Sequence, residues 1–211
     1  VGANVRESAQ VIGDLHSLAT CNAVGCRRLV EMMDEFAIND LDRIGTHILK
    51  LSKAAALEAI GRLKPGTYKH SMRIDGLESP VDLVATMTIG ETGIDVDFTG
   101  TSGISSYGIN VPMCYTEAYA SFGVKCIAAP EIPNNAGSLS VIRITAPEGS
   151  ILNAVHPAPV SVRHVTGQML PDVVFGCLNQ AIADAVPAEG TSCLWNLYAF
   201  GGPGRVEAAP E

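Results

Sequence analysis

Lys64-Pro65-Gly66 separates two kinds of periodicity in this chain. Proline removes a helical hydrogen bond and glycine frees the backbone, so the tripeptide stops any helix that reaches it. From there to Thr99 the residues alternate. Tyr68, His70, Met72 and Ile74 interleave with Lys69, Ser71, Arg73 and Asp75, and Asp75-Gly76 then signals a turn. Val81, Leu83, Ala85, Met87 and Ile89 form a second such face. Gly90-Glu91-Thr92-Gly93 turns tightly into Ile94-Asp95-Val96-Asp97-Phe98-Thr99. A period of two sends successive side chains to opposite faces, and short turns permit only antiparallel neighbours. The expectation is a three-stranded antiparallel β-meander, packed on one face and wetter on the other. Asp95 and Asp97 fall opposite Ile94, Val96 and Phe98.

Before this segment the period is helical. Val11, Leu15, Leu18, Ala19, Val24, Leu29, Val30 and Met33 recur at spacings of three and four, predicting one helix or two over residues 5–36. Ser8 is a candidate N-cap. Asp40 can cap a second helix running to Leu63, so residues 1–63 are expected to form an N-terminal helical hairpin. After the meander, Pro112 to Ala128 predicts a buried helix and Leu139 to Ala146 a fourth strand. Ile151-Leu152 is expected to pair briefly. Thr166 to Ala185 predicts a second buried helix with Pro171 in its first turn. Trp195-Asn196-Leu197-Tyr198 is expected to begin a final strand. No repeat or linker divides the chain, so the expectation is a single α+β domain over 1–211, with an α+β core of mixed strands over 64–211.

Composition narrows the function. Of 211 residues 47% are hydrophobic and 17% charged, enough apolar material for a sizeable core. Acidic residues outnumber basic ones 22 to 14, and no Lys/Arg cluster supplies the field that nucleic acid or an anionic membrane requires. No apolar run reaches membrane-spanning length. The six cysteines stand singly in apolar segments, which predicts free, mostly buried thiols and a reducing cytoplasmic setting.

The third strand runs directly into Gly100-Thr101-Ser102-Gly103-Ile104-Ser105-Ser106-Tyr107-Gly108-Ile109-Asn110. Small hydroxyls and glycines behind a strand bearing two carboxylates could build a polar site; equally, they could make turns in a long connection. Other chemistries find less support. His156 and His164, with Asp172, match no metal-ligand spacing. Gly100-x-x-Gly103 lacks the lysine of a phosphate loop and follows an antiparallel strand. No Gly-x-Ser-x-Gly elbow is present, and no cysteine neighbours a histidine that would lower its pKa.

Five stretches, taken in order, resemble the hydantoinase B/oxoprolinase family. They are Val11-Ile12-Gly13-Asp14-Leu15 through Val30; Val96-Asp97-Phe98-Thr99-Gly100-Thr101-Ser102 with Gly108-Ile109-Asn110; Ile132-Pro133-Asn134-Asn135-Ala136-Gly137; Ala146-Pro147-Glu148-Gly149-Ser150-Ile151-Leu152-Asn153; and Pro157-Ala158-Pro159-Val160. Members include N-methylhydantoinase and 5-oxoprolinase, which open cyclic amides with ATP, and acetone and acetophenone carboxylases. The resemblance implies a middle to C-terminal piece of a B-type subunit. It also implies a hydantoinase A-like ATP-binding partner, and a cyclic amide or ketone substrate. ATP and a divalent metal would serve the complete enzyme, with neither held by this piece. The family's metal-binding His and Asp residues are expected before Val1, so no residue here inherits a metal-ligand or catalytic role. Asp97, Thr101, Ser102, Asn110 and Asn134 are expected to line or brace the substrate cleft, with turn stabilisation the competing role for each. His164 completes the set of substrate-binding candidates. It lies in Arg163-His164-Val165-Thr166-Gly167, which departs from the hydantoinase wording and hints at the carboxylase branch. The expected function is therefore part of an ATP-dependent amidohydrolase. The alternatives are a carboxylase component, or a non-catalytic assembly module that docks the ATP-binding partner.

Overall fold

The computed structural model describes residues 2–5, 7–182, 184–188, 190, 199–200 and 207–208. The strand expected to begin at Trp195-Asn196-Leu197-Tyr198 lies outside them. Contacts divide the chain into two compact units, Val1–Ile48 and Leu49–Glu211.

The first unit holds α1 (Ser8–Glu35) and the start of α2 (Leu41–Ile60). α1 is one helix that runs through Gly13 and Gly25, where an added Cβ would meet nothing within 4 Å. Its N-cap position is Glu7 rather than Ser8, and no side chain caps it. Asp40 does cap the next helix, its Oδ1 accepting from the Asp42 amide at 2.8 Å. None of α1's residues is buried: the apolar stripe predicted from its spacing is present, with Leu18 62% exposed and Leu15, Leu29 and Val30 also exposed.

The second unit is α+β. β1 (Gly66–Ile74), β2 (Val81–Gly90) and β3 (Gly93–Asp97) pair antiparallel as the alternation requires. β4 (Ile142–Thr145) adds to β3 in parallel, Ile94 opposite Ile142, giving the order β1-β2-β3-β4. A parallel neighbour needs a crossover. Here it carries α3 (Met113–Ala128) and the single turn α4 (Ala136–Leu139). Gly93 makes the approach possible: its φ is +131°, and a Cβ there would stand 2.0 Å from the Val141 carbonyl oxygen.

One sheet face is dry. Leu83, Ala85, Met87, Ile94, Val96 and Ile144 bury against Ala120 and Val124 of α3 and against Val173, Val174, Cys177 and Leu178 of α6 (Leu170–Ala181). Ala56 and Ile60, from the last turns of α2, join the same core. Each large aliphatic buried there contributes about 1.5–3 kcal/mol. The opposite face is polar. Arg73 grips Asp82 through two bonds of 2.6 and 2.8 Å, and Arg143 pairs with Asp95. A two-residue ladder, Ala199–Phe200 with Glu207–Ala208, forms a separate sheet.

Three expectations are corrected. The fourth strand begins at Ile142, because Asn135 takes the preceding residues into a helical turn. Its Oδ1 accepts from Gly137 N and Ser138 N, while Ser138 Oγ accepts from Asn135 N. The segment 166–185 is a short turn, α5 (His164–Gly167), followed by α6. Cys21, Cys26, Cys114 and Cys126 are exposed rather than buried. Cys177 is buried, and burial pushes its pKa up to about 11.

Candidate functional site

Parallel pairing has a geometric result: β3 and β4 point the same way, so the loops leaving both emerge at one end of the sheet. Residues 98–111 and 146–162 interlock there. β3 pairs only with residues 86–90 of β2, and the loop continues the ladder beyond it. Thr101 Oγ1 accepts from Val84 N at 3.0 Å and lies 3.2 Å from Val84 O. Ser102 N donates to Asp82 O at 2.9 Å, and Ser102 Oγ accepts from Asp82 N at 2.9 Å. Two hydroxyls thus stand in for missing strand backbone. Ile151 N then donates to Ser102 O at 2.9 Å, and Val111 N to Ile151 O at 2.7 Å, tying the second loop to the first.

Asn110 holds the centre and is fully buried. Its amide nitrogen lies 2.9 Å from each of the Ser105, Tyr107 and Pro159 carbonyl oxygens, which share its two hydrogens, and its Oδ1 accepts from Ser105 N at 2.8 Å. Glu78, in the turn between β1 and β2, clamps the same loop. Its carboxylate accepts from Ser105 Oγ at 2.7 Å, Ser106 N at 2.8 Å and Ser106 Oγ at 2.9 Å. Those donors hold the Glu78 carboxyl below the usual carboxylate range, which makes it an anchor and a poor base. A cavity of about 240 Å³ opens beside it, lined by Glu78, Ser102, Ser105, Ile104 and Ile109.

The other candidates sit elsewhere. Asp97 Oδ1 accepts from Thr99 N at 3.1 Å and Thr99 Oγ1 at 2.8 Å, a local turn on the polar face of the sheet. His164 opens α5, where the neighbouring Arg163 guanidinium lies 5.8 Å from the Tyr115 ring centroid. Tyr115 stacks on Tyr119 with centroids 4.4 Å apart, and burial first, then its bond to Tyr119, pushes its pKa up to about 12. Asn134 lines a larger groove of about 650 Å³, walled by Ala118, Ser121 and Phe122 of α3 and by Leu139, Ile142 and Ile144. The structure thus brings Thr101, Ser102 and Asn110 into one braced cluster. Of the six candidates only Ser102 lines the cavity beside that cluster; Thr101, Asn110, Asp97, Asn134 and His164 do not.

Two residues escaped the sequence analysis. Glu78 carried no motif, and only the facing serines could have marked it. Lys125 is 6% exposed, its Nζ donating to the Ala129 and Ile132 carbonyls at 2.9 and 2.6 Å, and burial lowers its pKa. The signal was available: it is a lone charge among Val124, Ile127 and Ala128. Among the described residues, no group of three or more His, Cys, Asp or Glu side chains could hold a metal ion. No described helix is long and apolar enough to cross a membrane.

The comparisons bear on the family and on the fold as a whole. The hydantoinase B/oxoprolinase family matches residues 1–207, and the chain belongs to that family. It is 27% identical over 215 residues to a proposed B-type D-/L-hydantoinase subunit of Pseudomonas sp. (strain NS671), covering 94% of this chain and 36% of that protein. Over 82 residues it is 40% identical to an uncharacterised protein of Methanocaldococcus jannaschii, covering 38% of this chain and 14% of that one. The chain therefore spans about a third, or less, of the curated relatives it matches. Its fold is similar to that of the ATP-dependent caprolactamase of Pseudomonas jessenii, with a TM-score of 0.75 and 21% identity, over 86% of this chain and 32% of that one. Similarity to a nucleotide-free acetone carboxylase is lower, with a TM-score of 0.55 and 14% identity, over 62% of this chain and 19% of that one.

Proposed function

We propose that this chain is part of the B-type subunit of an ATP-dependent amidohydrolase that opens a cyclic amide, working with a hydantoinase A-like partner that binds ATP. The observation that carries this is the family match over nearly the whole chain, supported by a fold similar to that of an enzyme that acts on a lactam with ATP. Metal chemistry and nucleotide binding are proposed to lie with other polypeptide, as the resemblance implies; among the described residues no group of three or more His, Cys, Asp or Glu side chains could hold a metal ion. What these residues contribute is position. Thr101, Ser102, Asn110 and Glu78 fix the loop that leaves β3, Asp97 fixes its first turn, and Asn134 lines the larger groove. His164 remains a substrate-binding candidate at the start of α5.

The test is turnover of hydantoin, 5-oxoproline and caprolactam with ATP, with and without the partner, in the complete complex. Ring opening that needs both ATP and partner is the expected result. Incorporation of labelled bicarbonate into a ketone would instead establish the carboxylase alternative, to which the acetone carboxylase similarity lends support. Failure of every substrate with a partner bound would leave the assembly-module alternative standing.

A further inference from the structure

We propose that the outer edge of β4, together with the adjoining face of α3, is a slot for one further β-strand, supplied by B-type polypeptide outside these 211 residues. The inference rests on family membership and not on the choice of substrate.

The backbone points to the slot first. Ile94 N donates to Val141 O and Phe98 N to Thr145 O, each at 2.9 Å. In a parallel ladder, alternate residues face the neighbouring strand. Residues 141, 143 and 145 therefore turn towards β3, and the N–H and C=O groups of Ile142 and Ile144 turn away from it. No described residue pairs with them. The small ladder at 199–200 and 207–208 belongs to a separate sheet.

The walls point to it next. The 650 Å³ groove is lined by residues of both pleats of β4, by Ile142 and Ile144 and also by Arg143. It therefore runs along the strand's edge rather than over one face. α3 borders it with Ala118, Ser121 and Phe122, and Phe122 is 57% exposed. Open edges are commonly blunted by proline, an inward-pointing charge or a free lysine. β4 has none of these: Ile142 and Ile144 face the helices, and Arg143 is already held by Asp95. Its shortness is its one blunting feature.

The share of the relatives identifies the occupant. The match to the Pseudomonas hydantoinase protein takes in 94% of this chain and 36% of that protein, so nearly two thirds of a B-type polypeptide lies outside the matched part. A strand from it would run about 4.8 Å from β4. One set of its alternate side chains would meet Phe122, Ala118 and Leu139, and the other would stand beside Arg143 and Thr145. The fitting segment is apolar at every second position and polar between.

The experiment is amide hydrogen exchange on the protein expressed from its entire coding frame, at several concentrations, for the wild type and Phe122→Glu. Protection of the Ile142 and Ile144 amides by about 100-fold or more, independent of dilution, is expected. Phe122→Glu should lower it at least about tenfold and leave Val96, inside the sheet, unchanged. Free exchange in the wild type would overturn the proposal, as would protection indifferent to Phe122→Glu. Protection that fades on dilution would assign the edge to a second copy and overturn it too.

Discussion

Asn110 has four hydrogen bonds and no exposed surface, and every partner is backbone. Replacing it with alanine leaves three carbonyls and one amide short of a partner inside the protein. Asn110→Ala should lower stability by about 2–4 kcal/mol in urea titrations. If the brace is its whole role, turnover per folded molecule in the complete complex will be unchanged, and the same holds for Asp97→Asn. Glu78 makes a prediction with a sign. Its folded pKa is depressed, so its contribution is present above the unfolded value and lost as pH falls through the folded one. The stability gap between wild type and Glu78→Gln should be open at neutral pH, begin to shrink near the unfolded value of about 4.3, and close only below the lower folded value. Sequence alone marked Asn110 as a polar residue in a glycine-rich loop. It could not show that Pro159, 49 residues away, completes its coordination. Glu78 was missed for the same reason: its serines lie 27 and 28 residues further on.

At the scale of elements, periodicity made the meander legible because each strand has one wet and one dry face. It failed at residues 139–141, where Leu139 closes the turn that Asn135 caps and the strand starts only at Ile142. That turn leaves no room for a side chain at Gly137, whose Cβ would stand 2.1 Å from the Leu49 carbonyl oxygen. Backbone cannot swing aside as a side chain can. Gly137→Ala should therefore destabilise by about 2–4 kcal/mol, and a thermal melt beside the wild type checks it. The parallel pairing of β4 was not legible at all, since β4 is four residues long and its partner is fixed by the path of α3.

Across the molecule, none of the described residues among the first 48 belongs to the hydrophobic core, whose earliest described member is Ala56. Removing residues 1–36 should leave the urea midpoint of the sheet and its helices unchanged within about 0.3 M, followed by near-UV circular dichroism. A large drop would mean that α1 supports the core in a way its exposure does not suggest. The family match takes in that helix with the rest, although its leucines stay in solvent here. The α+β class and the family were both legible from patterning and wording. The loop cluster was only half so, because the sequence shows which loops are polar but not which of them meet.

The crossover has a further consequence for the order of assembly. β1, β2 and β3 are joined by turns of a few residues, whereas Ile94 waits for Ile142, 48 positions later in the chain. Short-range closures form faster than long ones. During synthesis the first three strands can zip together while the fourth is still inside the ribosome. Until it emerges, the flank of β3 is the place where a nascent molecule is most open to capture by a neighbour.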